Sequence, residues 1–240
     1  MDVLITGLLL GGTYALIAMG LNLQYGMARI MNLANGEMLV AGGFAAFWFW
    51  TGGSISPLLT IFIVAPIAFV LNWSIYKVFL QPLVKRAKSR GQLEVDSILT
   101  TFGLSFVSVG VMLALFGGNY FNYSYLSVPV IIFGDTYGAN RVVAFLAAVA
   151  ICGSLWLWLS FSRAGLSIRA ISVAPDSARL VGIDVRRLSA LAFALGGAVT
   201  ATGGALISTF LTLDASTGVV FTLKALVIVI MGGVGEVRGT

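Results

Sequence analysis

The sequence has no histidine, one cysteine and few charges: 10% of its 240 residues are Asp, Glu, Lys or Arg. Without histidine there is no zinc-protease motif, no Ser-His-Asp triad, no His-ligated haem and no His proton relay, which excludes most enzyme chemistry. Cys152 stands in an apolar run, has no intrachain disulfide partner, and reads as inert packing. A Walker-type phosphate loop is also missing; the closing MGGVGEVRGT shares only its glycines. No Lys or Arg precedes the first apolar run, which is too long for a signal-peptide core, so it reads as a retained span.

What the sequence does have is hydrocarbon. Apolar residues make up 59% of it, in long runs without the alternation of a membrane barrel, which predicts an all-α polytopic membrane helix bundle. The net charge of +5 sits in loops flanking those runs, without the interleaved aromatics of a strand-binding surface, so it points to membrane orientation and not to nucleic acid.

About seven spans are expected, near 3–23, 31–50, 57–77, 96–116, 140–161, 189–210 and from 219 onward. In the first, Gly7 and Gly11 are spaced for close helix packing. In the sixth, Ala190, Ala194, Ala198 and Thr202 form one small-residue strip, with Gly196, Thr200, Gly204 and Ser208 beside it, enough for two helices to approach closely. The second is unusual. Asn35 is placed to cap a helix whose first turn carries Glu37, where the helix dipole favours a carboxylate. A helix over 36–50 is about 15 residues, roughly 22 Å, against a hydrocarbon core of roughly 30 Å. Either residues 28–34 are helical too, or the chain comes in extended and the helix begins partway through, broken or re-entrant, with Asn32, Asn35 and Glu37 facing a pathway. Phe44, Phe47, Trp48, Phe49 and Trp50 at its far end read as an aromatic belt, Pro66 as a kink, and Trp73 and Tyr76 as an interface pair. The hydroxyls of the fourth span, Thr101 and Ser105 among them, suit interhelical bonds or a wetted path.

The polar interval 162–188 is the segment least able to lie in lipid, with a formal charge of +3. Pro175 suits a first helical position and Gly182 the residue past a helix end, so a two-turn helix is expected near 175–181. Ala174, Ala178 and Val181 would form its small apolar face, with Asp176 and Arg179 pointing away. That face suits docking into a soluble partner; the arginines alone indicate only sidedness. With the amino terminus outside, 12 of the 14 basic residues fall inside, leaving Arg141 and Lys224.

Three stretches, GGTYALIAMGLNLQYGMARIMNLANGE (11–37), RAGLSIRAISVAPDSARLVGIDVRRL (163–188) and LKALVIVIMGGVGEVRG (223–239), resemble the permease subunits of branched-chain amino acid ABC importers. The resemblance implies one transmembrane permease domain over 1–240, which pairs with a second permease subunit, identical or different. It further implies two cytoplasmic ATPases that bind the ATP, a periplasmic substrate-binding protein, and a bacterial inner-membrane location. No cofactor is expected on the chain itself. The stretch 162–188 is implied to be the cytoplasmic coupling loop, with Arg163, Gly165, Arg169, Ala170, Pro175, Asp176, Ala178, Arg179, Val181 and Gly182 as its contact residues. The sequence departs from the family pattern at Asn35, where a histidine is usual, and at Glu236 and Arg238, where small residues or proline are usual. Family members also continue past the position of Thr240 into at least one more hydrophobic helix. Permeases for urea or short amides, and an ion-coupled secondary transporter using Glu37, Asp214 or Lys224, are the alternatives.

Overall fold

The structure, a computed structural model, describes residues 2–87, 89–123, 125–132 and 135–235, without the side chains of Asp2, Arg90, Ile132, Asp176 and Arg179. Lys88, Glu236 and Arg238 lie outside the described residues. Ten α-helices are described: α1 (Asp2–Asn22), α2 (Asn35–Gly53), α3 (Pro57–Ile75), α4 (Gln81–Arg86), α5 (Arg90–Phe116), α6 (Ala139–Phe161), α7 (Arg163–Val173), α8 (Pro175–Leu180), α9 (Val185–Ile207) and α10 (Gly218–Gly232). Short π-helical turns, Leu23–Met27 and Tyr76–Leu80, extend α1 and join α3 to α4. A small antiparallel hairpin, β1 (Pro129–Ile132) and β2 (Asp135–Gly138), precedes α6.

The chain is thus an all-α membrane bundle. Five of its helical stretches, Val3–Met27, Pro57–Arg86, Gly91–Phe116, Ala139–Phe161 and Val185–Ile207, are long and apolar enough to cross a bilayer. The other two expected spans are α2, whose first turn is polar, and α10, whose 15 residues reach only about 22 Å at 1.5 Å per residue.

The central helix is α9. Its small residues let three helices close on it, one more than its two strips predict: α1, α2 and α3 all pack along it. Backbones meet directly. A Cβ on Gly204 would lie 1.8 Å from the Leu39 carbonyl oxygen, and one on Gly196 would lie 2.4 Å from that of Gly20. Ala194 and Ala198 are buried in the same seam. Such contact is how helices associate in lipid, where hydrophobic burial supplies no preference for protein over solvent.

The expected strip on α1 is displaced. A Cβ on Gly7 or Gly11 would meet nothing within 4 Å, while Gly12 lies against Phe145 and Gly20 against α9. Glycines occupy both sides of α1, and the neighbouring helices took the other side.

At the aromatic end of α2, Trp48 is exposed as a belt residue would be, whereas Phe44 turns inward. Phe44 is buried and packs against Phe116 and Phe121, each with ring centroids 4.8 Å apart, and Trp50 sits edge-on to Tyr125. The loop after α5 folds over this cluster, pinned by backbone pairing of Phe121 with Leu213 and by a 2.9 Å bond between the Tyr123 and Ser208 hydroxyls. Burial pushes the Tyr123 phenol up to about 12, so it stays protonated. Tyr76 is likewise no interface residue: it is buried against Phe193, while Trp73 receives the Lys77 ammonium at 5.1 Å. Pro66 lies inside α3, which continues as helix on both sides.

Candidate functional site

The segment after α1 is not helical between Arg29 and Ala34, and α2 begins at Asn35. Of the two ways to complete the second span, a helix through 28–34 is not the one observed: the approach is non-helical and ends in a turn at Leu33–Ala34. Its depth follows from its neighbours. Thr200, bonded to Asn35, is 15 residues into α9, about 22 Å along the helix, and Ser105, bonded to Glu37, is equally far into α5. The helix therefore starts inside the bundle.

A helix start exposes backbone N–H groups that lipid cannot satisfy. Here side chains from other elements satisfy them. The Gly36 N–H donates to the Thr222 hydroxyl of α10 (2.8 Å), the Leu33 N–H to the Thr101 hydroxyl of α5 (3.1 Å), and the Ala34 N–H to Asn32 Oδ1 (3.0 Å). Asn32 also donates to Gln24 Oε1, and Gln24 to the Phe193 carbonyl, which fastens the segment to α9. Asn35 does not cap the helix as expected. Because hydroxyls from α5 and α10 already serve that end, Asn35 is the first helical residue and its Oδ1 accepts from Thr200 at 3.0 Å.

Glu37 is fully buried. Ser105 Oγ donates to its Oε1 at 3.0 Å, and its Oε2 faces Gly218, where a Cβ would lie 2.4 Å away. Gly218 is the first residue of α10, so two helix N-termini converge on one carboxylate. Gly36 lies so close that its Cβ would meet the Gly218 carbonyl oxygen at 1.8 Å. Both dipoles favour negative charge there and offset part of the desolvation cost. Asn35 Nδ2 and Glu37 Oε2 have no hydrogen-bond partner among the described residues. The five predicted pathway residues, Asn32, Asn35, Glu37, Thr101 and Ser105, thus gather at this junction.

The other expected polar groups lie elsewhere. Asp214 forms a local turn, its Oδ1 accepting from the N–H and hydroxyl of Ser216. Burial opposes its ionisation, but the bonds from Ser216 and Thr217 outweigh that and hold the carboxyl below its usual range. Lys224 rests on the faces of Tyr14 (5.1 Å) and Phe221 (5.6 Å) at the surface of α10. Among the described residues, no three His, Cys, Asp or Glu side chains form a metal-binding group.

At the other end of the molecule the polar interval contains more helix than expected. Ser162 caps α7 by accepting from the Gly165 N–H at 2.9 Å, and a Cβ on Gly165 would lie 2.4 Å from the Leu159 carbonyl oxygen, so α7 folds tightly back on the end of α6. Arg169 fixes that fold by donating to the Ser160 carbonyl at 3.0 Å. Arg163 opens α7, and Ala170 lies exposed on it. Pro175 begins α8 as anticipated, and Gly182 ends it with φ of 80° while Ile183 N–H closes onto the Ala178 carbonyl.

The face of α8 differs from the expectation. Ala178 is buried at 4% exposure and turns toward its own chain, whereas Val173, Leu180 and Val181 stand out at 81%, 88% and 74%. A short helix strung between α7 and α9 must rest one side on its own protein, and its alanine permits the closest approach. The side chains of Asp176 and Arg179 lie outside the described residues.

Residues 3–240 match the family described as branched-chain amino acid transport system, permease component. The chain belongs to that family. The permease LivH of the high-affinity branched-chain amino acid transport system of Escherichia coli K12 is 26% identical over 97% of this chain and 79% of its own length. The permease BraD of the corresponding Pseudomonas aeruginosa system is 28% identical over 98% and 80%. A probable branched-chain amino acid transport permease, LivH of Methanocaldococcus jannaschii, is 24% identical over 93% and 71%. No solved structure matches. In this family member, the junction also includes residues that the sequence did not single out for it: Gln24, Thr200, Thr222 and Gly218. Their signal was present, since each of the first three puts a polar group inside or beside an apolar run, but only the fold shows that they converge.

Proposed function

We propose that this permease is the transport subunit of an ATP-driven importer, carrying branched-chain amino acids across the bacterial inner membrane. The observation that carries the reading is the junction of α2 and α10: a buried carboxylate with one oxygen unpaired, at the start of a helix that begins inside the bundle. Intramembrane ionisable groups are costly, and sites built on interrupted helices are where transporters hold small polar solutes. Glu37 supplies an acceptor for the substrate ammonium. The substrate class is taken from the names of the LivH and BraD relatives.

Energy comes from partners: a second permease, two ATPases acting on α7 and α8, and a periplasmic protein that delivers substrate. The subunit itself performs no covalent chemistry, and 1–240 works as one domain. Lys85, Arg86, Arg163, Arg169, Arg186 and Arg187 support a cytoplasmic position for α7–α8 and an external amino terminus by the excess of positive charge on inner loops. Deleting the gene in its host should abolish ATP-dependent uptake of radiolabelled leucine, and a plasmid copy should restore it. Unchanged uptake of leucine, isoleucine and valine would remove the substrate assignment.

A further inference from the structure

Arg29 lies between the basic end of the molecule and the polar junction inside the bundle. Its guanidinium donates to the carbonyls of Ser172 and of Val173, the latter at 3.3 Å. These are the last carbonyls of α7, which have no partner within their own helix and carry its negative dipole end, so a cation whose Nη2 reaches both is well matched. Among the described residues Arg29 is also one of three non-glycines with positive φ, at 57°. It stands just past the end of the first helix, where Ile30 N–H closes onto the Gln24 carbonyl, a position that normally favours glycine. An arginine there keeps a backbone conformation that costs it energy, and its contact with α7 gives a reason for its presence.

The following residues leave little slack. Met31 and Leu33 are hydrogen-bonded to Thr101 of α5, Asn32 to Gln24 and Ala34 to Asn32, and the next residue is Asn35. A cavity of about 710 Å³, lined by Arg29, Ala28, Tyr76, Val173 and Pro175 among others, lies between α7–α8 and the bundle and leaves α7 room to move relative to it.

We propose that Arg29 is the tie that passes motion of α7 to the polar junction, pulling on the 30–34 segment and so repositioning the start of α2. The tie rests on the reading of α7–α8 as the ATPase-driven segment. It adds a positioning residue that does not itself contact substrate or ATPase.

Arg29→Gly tests this directly, because glycine relieves the backbone while removing the guanidinium. In the complex isolated from host membranes through a tag on this chain, R29G should leave chain level and thermal midpoint unchanged and ATP hydrolysis intact, while leucine uptake falls about tenfold, in the range expected for residues carrying coupling. R29K, which keeps a charged nitrogen on a shorter stem, should fall between. In a Cys152→Ala background, the pair R29C and V173C should regain uptake when bridged by a short bifunctional thiol reagent, and stay uncoupled unbridged. Normal uptake by R29G, or no rescue by the bridge, overturns the tie. Loss of chain level together with ATPase activity also overturns it, by making Arg29 merely structural. If no ATPase accompanies the wild-type chain, it is the importer reading that fails.

Discussion

Glu37 shows what a buried carboxyl requires. Its neighbours supply one hydroxyl and two helix N-termini, and they leave one oxygen open. Glu37→Gln keeps the shape and removes the charge, so the folded chain should persist while the apparent affinity for leucine in uptake assays weakens more than the maximal rate. An unchanged half-saturation value would remove Glu37 from substrate contact. Thr222 has a different role: its hydroxyl accepts from the Gly36 N–H, and its one proton lies within reach of the Gly218 carbonyl at 3.2 Å and the Leu33 carbonyl at 3.3 Å. Thr222→Val would strand the Gly36 N–H, at a cost of about 1–3 kcal/mol, read as a lowered thermal midpoint in detergent. Residue types at this site were legible in the sequence, since Asn32, Asn35, Glu37, Thr101 and Ser105 were each visible as polar groups among apolar ones. Their partners were not, because a hydroxyl such as that of Thr200 satisfies its own helix carbonyl equally well, and only packing reveals Asn35 as the competing partner.

Among the elements, α9 and α8 respond to change in opposite ways. On α9 the seam is closed by glycine, and Gly204→Leu would push side-chain atoms into the α2 backbone at Leu39. Little folded chain should then reach the membrane, as measured by protease resistance, whereas the same change at Gly103 of α5, which has nothing within 4 Å, should be tolerated. On α8, Leu180→Glu alters a residue 88% exposed, so the fold should survive while ATPase recovered with the chain falls. Pro175 and Gly182 marked the ends of α8 correctly because caps are local chemistry. The burial of Ala178 was not legible, since which side of a short helix meets its own protein depends on how α7 folds back over Leu159, a tertiary fact. The small-residue periodicity likewise marked α9 as a packing helix, but could not tell which side of α1 its glycines would use.

The molecule as a whole has a polar, basic end carrying α4, α7 and α8, and an aromatic end where the loop after α5 covers α2. Between them two helices begin inside the bundle, and one arginine links that interior to the basic end. Hydropathy gave the class of fold, and charge bias gave a proposed orientation; the depth at which α2 and α10 start could not be counted from hydropathy alone, because it is fixed by contacts of α2 with α9 and α5 and of α10 with α1 and α2. The central claim is that work enters through α7–α8 from the cytoplasm. The most direct measurement is thiol labelling of Leu180→Cys, in a Cys152→Ala chain, with a membrane-impermeant maleimide. Inside-out vesicles stripped of peripheral proteins should label strongly, the same vesicles with their ATPases bound should be protected, and intact spheroplasts should not label. Labelling from the outside of spheroplasts, or labelling indifferent to the ATPases, would contradict the account.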